Sequence, residues 1–230
     1  MTIQFCVDMP LLTNSKDKLW TGLGAALSAG DVACGNDLAH AAPNGDEERG
    51  LVWGKDGNIW LTTGDGGERE LNLYTAAGQR LDNLRAKLVR ITPSGGIPSD
   101  NPFQGPNSVR CNDSGKTSTG KECQEIFALG LRNPWSMAMD PKSDKTRLFI
   151  TDVGGSKWEE IDEAGVNFAG ANYGFPIREG PCSLAKTEDC DNEPADFTSP
   201  YFFYIHIPNS DPSKKDEGAC TAGDFVPSNS

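Results

Sequence analysis

The sequence predicts an all-β fold assembled from consecutive four-stranded antiparallel units, and three observations carry that expectation. Gly and Pro are frequent, at 26 and 15 of 230 residues, and only 37% of the chain is hydrophobic, which suits a loop-rich sheet protein better than a helical one. Short alternating apolar runs recur along the chain between clusters of turn residues, as half-buried strands require. The strand-turn-strand plan of residues 50–67 returns at 135–155, so the chain carries an internal repeat.

The first unit opens with "GLVWGKDGNIWLTTGDGG" (50–67), where Asp56-Gly57 between two alternating runs signals a hairpin. "AKLVRIT" (86–92) and "EIFALG" (125–130) supply its third and fourth strands. The second unit opens with "WSMAMDPKSDKTRLFITDVGG" (135–155), turns at Asp140-Pro141, and continues with "WEEIDEA" (158–164) and "ANYGF" (171–175). Two such groups in succession are the pattern of propeller blades. Residues 1–45 and 181–230 resemble pieces of neighbouring blades, with "YFFYIHI" (201–207) as one more strand. The polar stretches 65–85 and 93–124 exceed ordinary connections and are expected to be functional or surface loops. Within the first, "LDNLRAKL" (81–88) fits one helical turn. A propeller closes only with more blades than these, so residues 1–230 are expected to form one incomplete propeller domain with apolar faces exposed at both ends.

With 33 acidic and 21 basic residues the net charge is −12. Such a chain repels a phosphate backbone and an anionic membrane surface, which argues against nucleic acid as a partner. No apolar run approaches the length of a membrane span. Seven cysteines lack the close pairing of a zinc site. Cys111 with Cys123 and Cys182 with Cys190 each bracket a polar loop, as disulfides of an oxidising compartment do. Cys6 and Cys34 could form a third pair, leaving Cys220 over; scattered free thiols are the alternative, because spacing fixes no connectivity. Asn112-Asp113-Ser114 is a glycosylation acceptor, which agrees with secretion. The segment "MTIQFCVDMPLLTNSKDK" has neither the basic nor the apolar region of a signal peptide, so a secreted chain whose true start is missing is the expectation.

Six phrases, "GKDGNIWLTTGDGG", "LDNLRAKLVRI", "GGIPSDNPF", "EIFALGLRNPW", "LFITDVGGSKWEEID" and "GANYGFPIREG", resemble in order and spacing the glucose/sorbosone dehydrogenase family over residues 45–181. The resemblance implies a six-bladed propeller, of which about two complete blades and pieces of others are present. The family includes soluble sugar dehydrogenases that use pyrroloquinoline quinone (PQQ) and the propeller of hedgehog-interacting-protein-like molecules. The implied function is therefore PQQ-dependent oxidation of a sugar. The alternative is a non-catalytic, calcium-stabilised extracellular module that binds a protein partner.

By the same resemblance, Arg132 of "GLRNPW" would stand beside the quinone and stabilise charge growing on its oxygen, and Asn133 would orient sugar or cofactor. A fixed cation at such an oxygen is worth several kcal/mol in a dry site. From residue type alone, Arg132 would instead pair with a surface carboxylate. The carbonyls of Gly154 and Gly155 would face the calcium ion that carries the quinone. Glu160 and the carbonyl of Tyr173 would belong to a nearby structural calcium site. Calcium takes six to eight hard oxygen ligands, which glycine-turn carbonyls and a carboxylate supply; a solvated acidic strand edge is the plainer expectation for Glu159, Glu160, Asp162 and Glu163. Counting back to the family's histidine base reaches Asp46, which leaves His40, six positions upstream, as the candidate base. The family's basic clamp for the quinone carboxylates would come from later blades.

Overall fold

A computed structural model of the chain describes residues 50–66, 76–112, 114–155, 157–184, 190 and 196–205. The hairpin expected at Asp56-Gly57 forms: β1 (Leu51–Trp53) pairs antiparallel with β2 (Ile59–Thr63). Gly57 takes a φ of +75° in the turn, a conformation that costs glycine nothing. β3 (Lys87–Ile91) pairs with β2. Two short strands, β4 (Ser108–Val109) and β5 (Glu122–Cys123), lie in the following excursion, and β6 (Ile126–Leu129) completes a four-stranded sheet ordered β1-β2-β3-β6.

The second sheet begins with β7 (Pro134–Met139), β8 (Arg147–Asp152) and β9 (Trp158–Gly165). After the short hairpin of β10 (Arg178–Glu179) and β11 (Cys182–Ser183), its fourth strand is β12 (Phe202–Ile205), giving the order β12-β9-β8-β7. Residues 171–175, expected to be that fourth strand, instead tie the two sheets together. Leu129 N–H donates to the Ala171 carbonyl at 2.9 Å, Tyr173 N–H to that of Leu129 at 2.9 Å, and Phe175 N–H to that of Gly130 at 2.9 Å. Those backbone groups are spent on the first sheet, and Gly174, with φ +99°, turns the chain away. The helical turn expected over 81–88 does not form. Leu84 N–H donates to the Gly115 carbonyl and Ala86 N–H to that of Gly64, each at 2.8 Å, so loop partners take the donors a helix would have used. A 3-10 turn at Ala77–Gln79 precedes this segment.

The alternating pattern decides which residues meet between the sheets. Trp60, Leu88 and Phe127 of the first sheet pack with Leu148, Ile150 and Ala164 of the second. Trp60 meets Phe127 edge-on at 4.6 Å, and the Arg90 guanidinium lies 5.2 Å from the Trp60 ring. Below this core, Thr146 Oγ1 donates to Asp56 Oδ1 at 2.9 Å, and Lys55 Nζ donates to the Asp140 carbonyl at 3.1 Å. The opposite face of the first sheet, Ile59, Leu61, Val89, Ile91 and Ile126, is covered by Ile97, Phe103, Cys111 and Cys123 of the 93–124 excursion. Apolar exposure at both ends is therefore corrected for this end. The excursion is a lid on the core as well as a surface loop. At the other end Tyr201, Phe202, Phe203 and Ile205 remain exposed.

Cys111–Cys123 and Cys182–Cys190 are disulfides, with Cα separations of 5.3 and 4.3 Å. Cys6, Cys34 and Cys220 lie outside the described residues, as does Asp113 of the glycosylation acceptor. Cys123→Ser should lower unfolding stability by about 3 kcal/mol, because it frees the loop and leaves Cys111 unpaired in the core. Urea melts of wild type and variant check this, and equal midpoints would refute it.

Candidate functional site

Two strand ends converge at one rim. The β6–β7 connection carries "GLRNP", and the chain leaving β8 carries "DVGG". Asp152, the last residue of β8, joins them. Its Oδ2 accepts the Arg132 N–H at 2.7 Å and its Oδ1 accepts the Asn133 N–H at 2.6 Å. The link is completed by Val153 N–H, which donates to the Asn133 carbonyl at 3.0 Å.

The Arg132 guanidinium turns back over this connection. Its Nη1 donates to the carbonyls of Val153 at 2.8 Å and Gly154 at 3.1 Å, and the Phe175 ring lies 5.9 Å from its Cζ. Among the described residues it makes no ion pair. The surface pairing that residue type alone suggested is absent there. Both glycines are needed at this approach. A Cβ on Gly155 would come within 2.9 Å of Arg132 Nε, and one on Gly154 would run into the Trp158 carbonyl. The Asn133 side chain is buried, and its Oδ1 has no hydrogen-bond partner among the described residues.

Directly beneath lies an acidic cluster. In the β8–β9 register Asp152 stands opposite Glu160 and Ile150 opposite Asp162, so Asp152, Glu160 and Asp162 share the face that carries Leu148, Ile150 and Ala164 into the core. One carboxylate oxygen from each of the three lies within 4.8 Å of the others. Their exposures are 1%, 6% and 1%, and both oxygens of Asp162 lack a hydrogen-bond partner among the described residues. Burial pushes the Asp152 carboxyl up to about 7 against the pull of the Arg132 and Asn133 N–H groups. Burial first, then the neighbouring carboxylates, pushes Glu160 well above the usual range; burial and then Asp152 do the same for Asp162. Arg178, on the β10–β11 hairpin, partly offsets both. Three buried carboxylates cannot all ionise without a counter-charge. A divalent cation bound by hard oxygens meets that requirement, and the unpartnered oxygens of Asp162 fit it.

The expectation of a solvated edge is corrected here: Glu159, Glu160 and Asp162 are all buried. Among the anticipated site residues, Arg132, Asn133, Gly154 and Gly155 come together at the rim. Glu160 joins Asp152 and Asp162, two residues not expected as ligands. Tyr173 is buried in the inter-sheet core and donates its hydroxyl to the Glu163 carbonyl at 2.8 Å. The signal for Asp152 and Asp162 was parity. In "WEEIDEA" the second Glu and the Asp alternate with Trp158 and Ala164 on one side of the strand, so the apolar ends mark that side as inward. His40 and Asp46 lie outside the described residues.

Two four-stranded antiparallel sheets packed face to face, with polar residues gathered at one end of their strands, fit two adjacent blades of a β-propeller. The chain belongs to the glucose/sorbosone dehydrogenase family, whose model matches residues 36–214. It is 33% identical over 127 residues to aldose sugar dehydrogenase YliI of Escherichia coli (strain K12), a match covering 55% of this chain and 28% of the relative. It is 35% identical over 146 residues to the HIPL2 protein of Arabidopsis thaliana, covering 57% of this chain and 18% of the relative. The solved oxidoreductase (glucose dehydrogenase) of Thermus thermophilus aligns with a TM-score of 0.50 and 29% identity, over 71% of this chain and 41% of that one. The matched region thus spans less than a third of the length of these curated relatives.

Proposed function

We propose that the chain supplies part of the active rim of a calcium-dependent, PQQ-using sugar dehydrogenase acting in an oxidising compartment. The observation that carries this is the Arg132 guanidinium, free of any carboxylate partner among the described residues and set over the Gly154 turn, directly above three buried carboxylates. A cation above and a cation-binding cluster below suit a ligand that carries negative charge. PQQ, when bound, supplies the acceptor for the hydride leaving a sugar carbon while that carbon's hydroxyl loses its proton.

This chain's residues would bind and orient. Arg132 would hold charge growing on an oxygen at the rim, and Asn133 Oδ1, without a partner among the described residues, would accept a hydrogen bond from a bound hydroxyl. Gly154 and Gly155 leave room for close backbone approach. Asp152, Glu160 and Asp162 would hold a calcium ion that keeps the rim rigid. His40 remains the proposed base.

The test is direct. A complete six-bladed propeller carrying this chain should bind PQQ in the presence of calcium, read from the quinone absorbance, and then reduce an artificial acceptor when an aldose is added. Calcium binding without PQQ binding would discard the enzyme and leave a calcium-stabilised binding module.

A further inference from the structure

Glu179 is 2% exposed, and its Oε1 accepts three backbone N–H groups: Gly155 at 3.0 Å, Lys157 at 2.9 Å and Trp158 at 3.1 Å. Glu159, fully buried on β9, accepts the Gly154 N–H with Oε2 at 3.2 Å. The N–H groups of Gly154, Gly155, Lys157 and Trp158 are thereby held by two buried carboxylates. A peptide unit is planar and trans, so its N–H and its C=O point in opposite directions. The Gly155 N–H and the Gly154 carbonyl belong to one unit, and the Gly154 N–H and the Val153 carbonyl belong to another. Holding the two N–H groups on Glu179 and Glu159 aims each carbonyl away from its carboxylate, and Arg132 Nη1 donates to the Gly154 and Val153 carbonyls at 3.1 and 2.8 Å.

We infer that Glu179 is the positioning residue of this rim: by gathering the N–H groups of the turn, it orients the Gly154 carbonyl and so sets the place of the Arg132 guanidinium. Glycine permits the conformation, but the carboxylate selects it from those glycine allows. Glu179 is itself held from outside the turn. Its partner in the β10–β11 hairpin is Cys182, which is bound to Cys190. The sequence feature behind this is the "REG" that follows "NYGFPI". Any role of Glu179 in PQQ binding rests on the function proposed above.

The test uses the full chain, with Glu179→Ala and Glu179→Gln as variants. Amide exchange is first followed by NMR with no ligand added. In Glu179→Ala the amides of Gly155, Lys157 and Trp158 should exchange at least tenfold faster, while those of Leu88 and Val89 in the first sheet stay unchanged. Glu179→Gln keeps an acceptor oxygen and should restore part of the protection. Unchanged exchange at the three amides overturns the inference, as does a uniform rise in both sheets, which would make Glu179 a general stabiliser. PQQ with calcium is then titrated into a complete six-bladed propeller carrying this chain, and its affinity should fall at least tenfold in Glu179→Ala and partly recover in Glu179→Gln. Equal affinity in wild type and Glu179→Ala overturns the inference for the cofactor site. Failure of wild type itself to bind PQQ sinks the proposed function, while the exchange result still decides the positioning role.

Discussion

Asp162→Asn is expected to melt above wild type in calcium-free buffer and below it in millimolar calcium. Without a cation, Asp162 is a buried carboxyl group with no hydrogen-bond partner on either oxygen among the described residues, close to those of Asp152 and Glu160. Burial and Asp152 raise its carboxyl well above the usual range, so the apo fold keeps it protonated at a cost that neutral asparagine avoids, and the substitution should stabilise the apo protein by about 1–3 kcal/mol. With calcium, wild type gains whatever the bound ion contributes, about 2.7 kcal/mol at a free concentration a hundredfold above Kd. Asparagine keeps one carbonyl ligand but loses the charge that makes the site bind. Thermal melts with calcium and with a chelator give the four numbers required. A substitution effect that is the same in both buffers would show that the cluster holds no calcium.

The same cluster sets a pH dependence whose sign follows from the direction of its shifts. Asp152 is raised from 3.8 to about 7, and Glu160 and Asp162 are raised as well. Between the unfolded and folded values the folded chain binds more protons than the unfolded one. Calcium-free stability should therefore fall as pH rises from about 4 to 7 and beyond. Calcium requires the ionised carboxylates, so its affinity should rise over that window. The increment in melting temperature from calcium should be small at pH 5 and large at pH 8. An increment independent of pH would exclude these carboxylates as the ligands.

How much of this was legible in the sequence depended on whether the information was local. The Asp56-Gly57 hairpin and the strands of the first sheet are encoded by their own turn residues and alternation. The fourth strand of the second sheet is not. "ANYGF" has the composition of a strand, but its N–H and C=O groups go to Leu129 and Gly130 of the other sheet, a choice made by tertiary packing. "YFFYI" carries the strand pattern plainly, yet over thirty residues part it from β9. Proximity in sequence favoured the wrong partner. At the site, Arg132 and the two glycines were legible as phrases, because a cation and a tight turn announce their chemistry by residue type. The carboxylate cluster was not, because charged residues on a strand are more often solvated. Parity with Trp158 and Ala164 points Glu160 and Asp162 inward, but only the register that sets Asp152 opposite Glu160 brings the three together. Glu179 was hidden for another reason. It acts through backbone amides some twenty residues away, and no side-chain motif records that.

Arg132→Ala is expected to lower sugar turnover about 100- to 1,000-fold, the usual consequence of losing one fixed donor at a developing oxyanion. The calcium-dependent rise in melting temperature should survive, because Arg132 approaches the carboxylate cluster through its backbone: the bond to Asp152 is made by its N–H, which alanine retains. If Arg132 acts on charge that grows during hydride transfer, kcat and kcat/KM should fall together while KM changes little. A rise in KM alone would mean that the guanidinium merely holds the ground state. Lysine should recover only part of the loss, since one Nη1 donates to both the Val153 and Gly154 carbonyls while the planar head keeps its other donors for a ligand. An ammonium satisfied by the same two carbonyls has one donor left and no fork. Stopped-flow reduction of the PQQ-loaded protein by an aldose separates these cases, and unchanged turnover in Arg132→Ala would remove the arginine from the chemistry altogether.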